Sequence, residues 1–259
     1  MKAPAFAYAK PASLGEALEL LQHPGAKLLA GGQSLIPTLN MRLSSPELLV
    51  DIGGLEELKH IEVKNGMVRI GALVTHSSLE TSEQIRKHVP LLAQAVPHVA
   101  HAAIRNRGTL GGSMALADPA AEYPAVGVAL GADFFLRGKN GERKVKAENF
   151  FKGLFETDMK EGELLTAVEF PAAKATDKSV FLELARRHGD YAIVGVAVSN
   201  DRFAFFATGG KPALFSFTDL EKARQELKKN LNPTSDLYNA AATKLHLAGV
   251  LLERAWNMR

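Results

Sequence analysis

Two glycine pairs mark the places where this chain can do chemistry. The first lies in A-G-G-Q-S-L-I-P, Ala30 to Pro37, and the second in I-R-N-R-G-T-L-G-G-S, Ile104 to Ser113. A small hydroxyl residue follows each pair, Ser34 after Gln33 and Ser113 directly after Gly112. Glycine has no Cβ to hold an anion off and tolerates positive φ, so main-chain N–H groups can converge on a phosphate. Ser34, Thr109 and Ser113 add hydroxyl donors beside Gly31, Gly32, Gly111 and Gly112. Gly-Gly is also an ordinary loop corner, so one such turn says little. Two of them suit the two phosphates of a dinucleotide. Neither completes the G-x-G-x-x-G fingerprint, and neither runs into the G-K-[ST] of a P-loop. A nucleotide held here needs another scaffold.

Other groups narrow the chemistry. Asp118 and Glu122 share a face if their segment is helical. A carboxylate just past a phosphate turn can accept hydrogen bonds from sugar hydroxyls, although a helix start favours acids even without a ligand. Asp190-Tyr191 falls in a glycine-containing turn between strands, where the ring either half-buries or stacks on a planar cofactor. The eight histidines are scattered, with no H-E-x-x-H and no acidic partner at ligand spacing, so no metal site is expected. There is no cysteine, which removes disulfides, a cysteine nucleophile and any iron–sulfur cluster held by this chain. No serine occupies a nucleophile-elbow setting. A net charge of +3 without a long Lys/Arg run argues against nucleic acid. The N-terminus lacks the apolar core of a signal peptide and no stretch nears about 18 apolar residues, so the cytoplasm is the expected location.

The elements that must position these residues read as α+β. Ser13 and Glu16 form an S-x-x-E capping box for a first helix, which Pro24-Gly25 ends. Lys27 to Ala30 is a buried strand feeding the first glycine turn, a helix starts after Pro37, and Leu48 to Ile52 is another strand. This is a small parallel α/β piece, about residues 1–55. From about 56 to 172 the pattern is an antiparallel sheet with helices. Hairpins are expected at Asn65-Gly66 and Asn140-Gly141, and helices over Ser78–His88 and Pro90–Ala103. After a linker at Pro171–Asp177, residues 173–259 supply strands at Ser179–Arg186, Ile193–Val198 and Arg202–Thr208. A helix capped by Thr218 follows, and a last one begins at Ser235.

Four ordered motifs carry a resemblance: A-G-G-Q-S-L-I-P, T-L-G-G-S, A-D-P-A-A-E-Y-P-A and R-R-H-G-D-Y-A-I-V-G-V-A. Together they resemble the FAD-binding medium subunit of molybdenum hydroxylases, of the carbon monoxide dehydrogenase type and related to the xanthine dehydrogenase FAD domain. The resemblance runs from the N-terminus to about Val198 and resumes toward the last helix, L-N-P-T-S-D-L-Y to E-R-A-W. It implies an FAD-binding fold of two α/β subdomains followed by a C-terminal domain with a small antiparallel sheet and helices. It assigns FAD contact to Lys27, Leu28, Ala30, Gly31, Gly32, Gln33, Ser34 and Leu35, and to Ile104, Thr109, Gly111, Gly112 and Ser113. Glu122 takes the place of the carboxylate that holds the sugar hydroxyls, with Asp118 beside it. Many relatives have Asp at the Glu122 position. Leu165 matches an apolar residue near the isoalloxazine, and Tyr191 an aromatic that covers it. After Val198 the chain is shorter than the family pattern.

The resemblance further implies an electron-transfer subunit with no substrate chemistry of its own. A molybdenum-cofactor large subunit oxidises the substrate and a [2Fe–2S] small subunit relays electrons to the FAD, in a heterotrimer that dimerises. A quinone, NAD⁺ or dioxygen then takes the electrons. Two alternatives stay open on sequence: a self-sufficient flavin oxidoreductase on the same scaffold, and an assembly module without cofactor.

Overall fold

The computed structural model describes residues 2–259. Three strands, β1 (Ala7–Ala9), β2 (Ala26–Leu29) and β3 (Leu48–Asp51), form a parallel sheet in the order β1-β3-β2. Helix α1 (Leu14–Leu20) connects the first two strands. Its Ser13 cap accepts from the Glu16 amide at 3.2 Å, while the Glu16 carboxylate accepts from Ala12 N–H at 2.7 Å. The capping box is thus present, with its return bond displaced by one residue. Helix α2 (Leu35–Asn40) begins before Pro37 rather than after it. Proline is tolerated in a first helical turn because the N–H it lacks has no intrahelical partner there.

The middle of the chain builds a five-stranded antiparallel sheet. Its strands are β4 (Ile61–Lys64), β5 (Met67–Gly71), β6 (Asp133–Gly138), β7 (Gly141–Lys146) and, after the short hairpin β8 (Phe151–Gly153) and β9 (Glu156–Thr157), β10 (Leu164–Pro171). The order is β4-β5-β10-β6-β7. Asn65 and Gly66 both take positive φ, 52° and 74°, as the expected two-residue turn requires. The second hairpin turns on Lys139-Asn140, one residue earlier than expected, because Gly138 pairs with Gly141.

Neither long helix of this region survives intact. Ser78–His88 is divided into α3 (His76–Thr81) and α4 (Glu83–His88) at Ser82, whose hydroxyl caps the second piece. Pro90–Ala103 becomes α5 (Pro90–Ala95), a 3₁₀ turn at Val96–His98 and, after a break, α6 (Ala102–Arg105). Pro97 has no amide to continue the ladder. Then come α7 (Leu110–Leu116), α8 (Glu122–Leu130) and the short α9 (Ala147–Phe150).

Last comes an antiparallel meander, β11 (Ser179–Leu184), β12 (Val194–Ser199), β13 (Arg202–Phe206) and β14 (Ala213–Ser216), the last strand having no sequence expectation. Helix α10 (Leu220–Asn230) is capped by Asp219 rather than Thr218, and α11 (Ala241–Met258) starts six residues after Ser235. The meander is buried on both faces. Val194, Val196, Val198, Phe203 and Phe205 pack with α10 and α11, while Ala197, Ala204 and Phe206 join the same core as α5 and α8. That explains why these strands read as unbroken apolar runs instead of alternating.

Candidate functional site

The two glycine motifs meet. An added Cβ on Gly31 would lie 2.0 Å from the Arg107 carbonyl oxygen and 2.8 Å from Gly108 Cα. Only a residue with no side chain allows the first turn to sit directly on the backbone that leads into the second. Beside this contact opens a cleft of about 900 Å³, at the upper end of the range usual for small-molecule sites.

Every residue that the sequence nominated lines this one cleft. Lys27, Leu28, Ala30, Gly31, Gly32, Gln33, Ser34 and Leu35 contribute the stretch from β2 into α2. Ile104, Thr109, Gly111, Gly112 and Ser113 contribute α6 and the start of α7. Asp118, Glu122, Leu165 and Tyr191 complete it. None of them lies elsewhere.

The two motifs are built differently. In the first, Gly32 takes φ +74°, and the Gln33 amide reaches back to the Gly31 carbonyl at 3.2 Å. The main-chain N–H groups of Gly31, Gly32, Gln33 and Ser34 have no acceptor among the described residues. Four consecutive bare amides on a cleft wall are an anion cradle. The second motif is not a turn, since Gly111 and Gly112 lie in the first turn of α7. Its amides are spent on structure. Leu110 N–H bonds to Val74 O (3.0 Å), Gly111 N–H to Ala72 O (2.9 Å), Gly112 N–H to the Thr109 hydroxyl (3.1 Å) and Ser113 N–H to Thr109 O (3.0 Å). The expectation of a second amide cradle is therefore corrected: the Thr109 hydroxyl caps a helix. Gly111 is required because a Cβ there would come within 2.4 Å of the Ala72 Cβ.

Asp118 and Glu122 are not on one helical face. Ala117 closes α7 in the left-handed conformation (φ 52°), Asp118 lies in the following turn, and Glu122 is the first residue of α8. Asp118 accepts from Ala120 N–H at 2.9 Å, and burial raises its pKa. Glu122 is buried, and that burial pushes its pKa up to about 8. That shift favours the protonated carboxyl near neutral pH, which can donate as well as accept. Tyr191 is not half-buried; its side chain is 71% exposed at the cleft mouth. The turn carrying it is pinned where Gly189 (φ +82°) leaves no room for a Cβ against the Ala100 carbonyl oxygen.

Sequence reasoning missed His76, Gly108, Arg186 and the segment Asp236, Tyr238 and Asn239, all of which line the cleft. His76 is buried, which lowers its pKa to about 4, and its Nδ1 has no hydrogen-bond partner. Gly108 abuts it, since a Cβ there would lie 2.7 Å from His76 Nε2. Gly108 stood in the quoted motif three residues ahead of the glycine pair and was the available signal. Tyr238 ends L-N-P-T-S-D-L-Y, the stretch where the resemblance resumes, which was the available signal. Among the described residues no group of His, Asp and Glu has metal-holding geometry, and no helix is long and apolar enough to cross a membrane.

Comparison with known proteins follows the same lines. The family described as the FAD binding domain in molybdopterin dehydrogenase matches residues 4–173. Caffeine dehydrogenase subunit beta of Pseudomonas sp. (strain CBB1) is 43% identical over 201 residues, covering 76% of this chain and 68% of that protein. The carbon monoxide dehydrogenase medium chain of Hydrogenophaga pseudoflava is 35% identical over 277 residues, covering 98% of this chain and 96% of the relative. A solved structure of carbon monoxide dehydrogenase from Hydrogenophaga pseudoflava superposes with a TM-score of 0.95 at 34% identity, covering 100% of this chain and 98% of that one.

Proposed function

Since this chain belongs to the family of FAD-binding domains of molybdopterin dehydrogenases, we propose that it is the electron outlet of a three-subunit molybdenum hydroxylase. It is a flavoprotein oxidoreductase subunit whose cofactor is FAD. When bound, FAD supplies the redox chemistry, taking electrons from [2Fe–2S] clusters on a small partner subunit and passing them to an external acceptor. Substrate oxidation belongs to a large partner subunit with the molybdenum cofactor.

The observation that carries this reading is the run of bare amides from Gly31 to Ser34 on a cleft gathering every residue of the expected FAD set. The residues fit the cofactor. The amide cradle holds the diphosphate, with the Ser34 hydroxyl beside it. Helix α7 packs closely behind it and turns Gly112 and Ser113 to the cofactor. The Glu122 carboxyl, with Asp118, holds sugar and ribityl hydroxyls. Leu28, Ile104 and Leu165 would give the ring system apolar walls, and the exposed Tyr191 ring could stack on it. No residue of this chain acts as a general base in the scheme. We divide the chain into an FAD domain at 1–172 and a C-terminal domain at 173–259.

The test is a native preparation in which the chain is co-purified with whatever binds it. The expected result is one FAD per chain, with [2Fe–2S] and molybdenum-cofactor signals in the complex. The isolated, FAD-loaded chain should turn over no organic substrate. A colourless preparation that takes up no FAD on reconstitution overturns the proposal.

A further inference from the structure

The segment ahead of the last helix, where L-N-P-T-S-D-L-Y resumes the resemblance, also lines the cleft. Asp236, Tyr238 and Asn239 precede α11 and line the same cavity as Gly31 and Gly112. Tyr238 is 71% exposed, and the Arg186 guanidinium lies over its ring, 4.5 Å from the centroid. Arg186 belongs to the β11–β12 connection that also carries Asp190 and Tyr191. Two exposed tyrosines and a cation thus line one cleft, Arg186 on the ring of the one and on the same connection as the other.

The segment is held with more apparatus than an idle loop needs. The Asp236 carboxylate accepts from the amides of Tyr238 and Asn239, each at 2.8 Å, and Asp236 N–H donates to Asn239 O at 3.0 Å. Its other oxygen pairs with Lys244 Nζ at 2.8 Å. Lys244 is only 6% exposed and also donates to the Ala207 carbonyl at 3.0 Å. Thr234 N–H bonds to Thr208 O (2.9 Å), and the Ser235 hydroxyl accepts from Ala241 N–H (2.9 Å). A buried lysine is costly unless it is paired and fully hydrogen-bonded. Here the pairing fixes a tight turn, and Lys244 holds the Asp236 pKa down at about 2, so the anchor persists across the working pH range. Tyr238 is the large side chain that this turn delivers to the cleft.

We propose that Tyr238, clasped to Arg186 and anchored through Asp236 and Lys244, is a further FAD-binding residue: an aromatic wall over the ring system in the cleft that Tyr191 also lines. The inference rests on the FAD reading above. A Tyr ring against a flavin restricts solvent access to it and quenches its emission, while the guanidinium on the ring holds the clasp shut.

The test uses the full chain reconstituted with FAD. Affinity is read by calorimetry, and solvent access by iodide quenching of flavin fluorescence. Tyr238→Ala should weaken FAD binding about three- to ten-fold, brighten the flavin and increase iodide quenching, while the melting temperature of the cofactor-free chain stays unchanged because the ring is exposed. Tyr238→Phe should restore all three readouts. Asp236→Ala, which removes the acceptor of both loop amides together with the partner of Lys244, should reproduce the weaker FAD binding and the greater iodide quenching of Tyr238→Ala. Tyr238→Ala with wild-type affinity and wild-type iodide access overturns the clasp and leaves the FAD assignment standing. A wild-type chain that binds no FAD overturns both.

Discussion

From Gly31 to Ser34 the chain bends with its amides bare, whereas from Leu110 to Ser113 it bends with all of them bonded within the protein. The composition of the two stretches is nearly the same. In the first, Gly32 is needed for its positive φ and Gly31 because another backbone lies against it. In the second, the glycines are helical, and Gly111 serves to let α7 approach the Ala72 backbone. One motif leaves its amides free on the cleft, and the other spends them on holding α7 against the Ala72 backbone. A glycine pair therefore reports that something comes close. It does not report whether that is a phosphate or the protein itself.

Substitutions can break this contrast. Gly31→Ala should have the largest effect, because its Cβ meets main-chain atoms that cannot turn aside. A loss of about 3 kcal/mol or more is expected by urea denaturation, together with loss of FAD binding in titrations. Gly111→Ala should cost about 1–3 kcal/mol by overpacking, partly relieved in combination with Ala72→Gly. The fraction that folds should bind FAD nearly normally. Equal loss of affinity in the two variants would erase the distinction drawn between the motifs.

The hydroxyls sharpen it. Thr109→Ala removes a helix cap and should lower the stability of the cofactor-free chain by about 1 kcal/mol. Ser34 makes no capping bond, so Ser34→Ala should stay within about 0.5 kcal/mol of wild type while weakening FAD binding. Paired denaturation and binding curves would show these effects falling on different axes.

Glu122 gives the most pH-specific effect. Burial raises its pKa from 4.5 to about 8. Between those values the folded chain holds a proton that the unfolded chain releases, so the cofactor-free protein loses stability as pH rises through that window. Glu122→Gln removes this dependence. Its melting temperature relative to wild type should be higher at pH 8.5 than at pH 5, and a difference that does not change with pH would remove the buried acid from the description.

Much of this site was legible in the sequence because glycine, proline and capping residues act over a few positions. The β2 strand, the Gly31-Gly32 turn, the Asn65-Gly66 hairpin and the Ser13 cap all follow from local sterics and local hydrogen bonds. The long helices misread at Ser82 and Pro97 show the limit of periodicity, because an apolar pattern can continue across a break that a cap or a missing amide imposes. His76 had no local signal, and Tyr238 only its place at the end of L-N-P-T-S-D-L-Y. Their importance comes from what lies opposite them, Gly108 in one case and Arg186 in the other.

The linear chain by itself determined that two glycine motifs exist, that the first follows a strand, and that cysteine chemistry is absent; that strand, expected to be buried, is only part-buried in the fold. It also carried the family resemblance, since motif order survives without coordinates. Only the tertiary structure decided which amides remain free, that Gly31 rests on Arg107, that burial raises the Glu122 pKa, and that residues more than 200 positions apart share one cleft. The physical reason is that burial and hydrogen-bond satisfaction are properties of neighbours in space, and the chain order does not record which neighbours those will be.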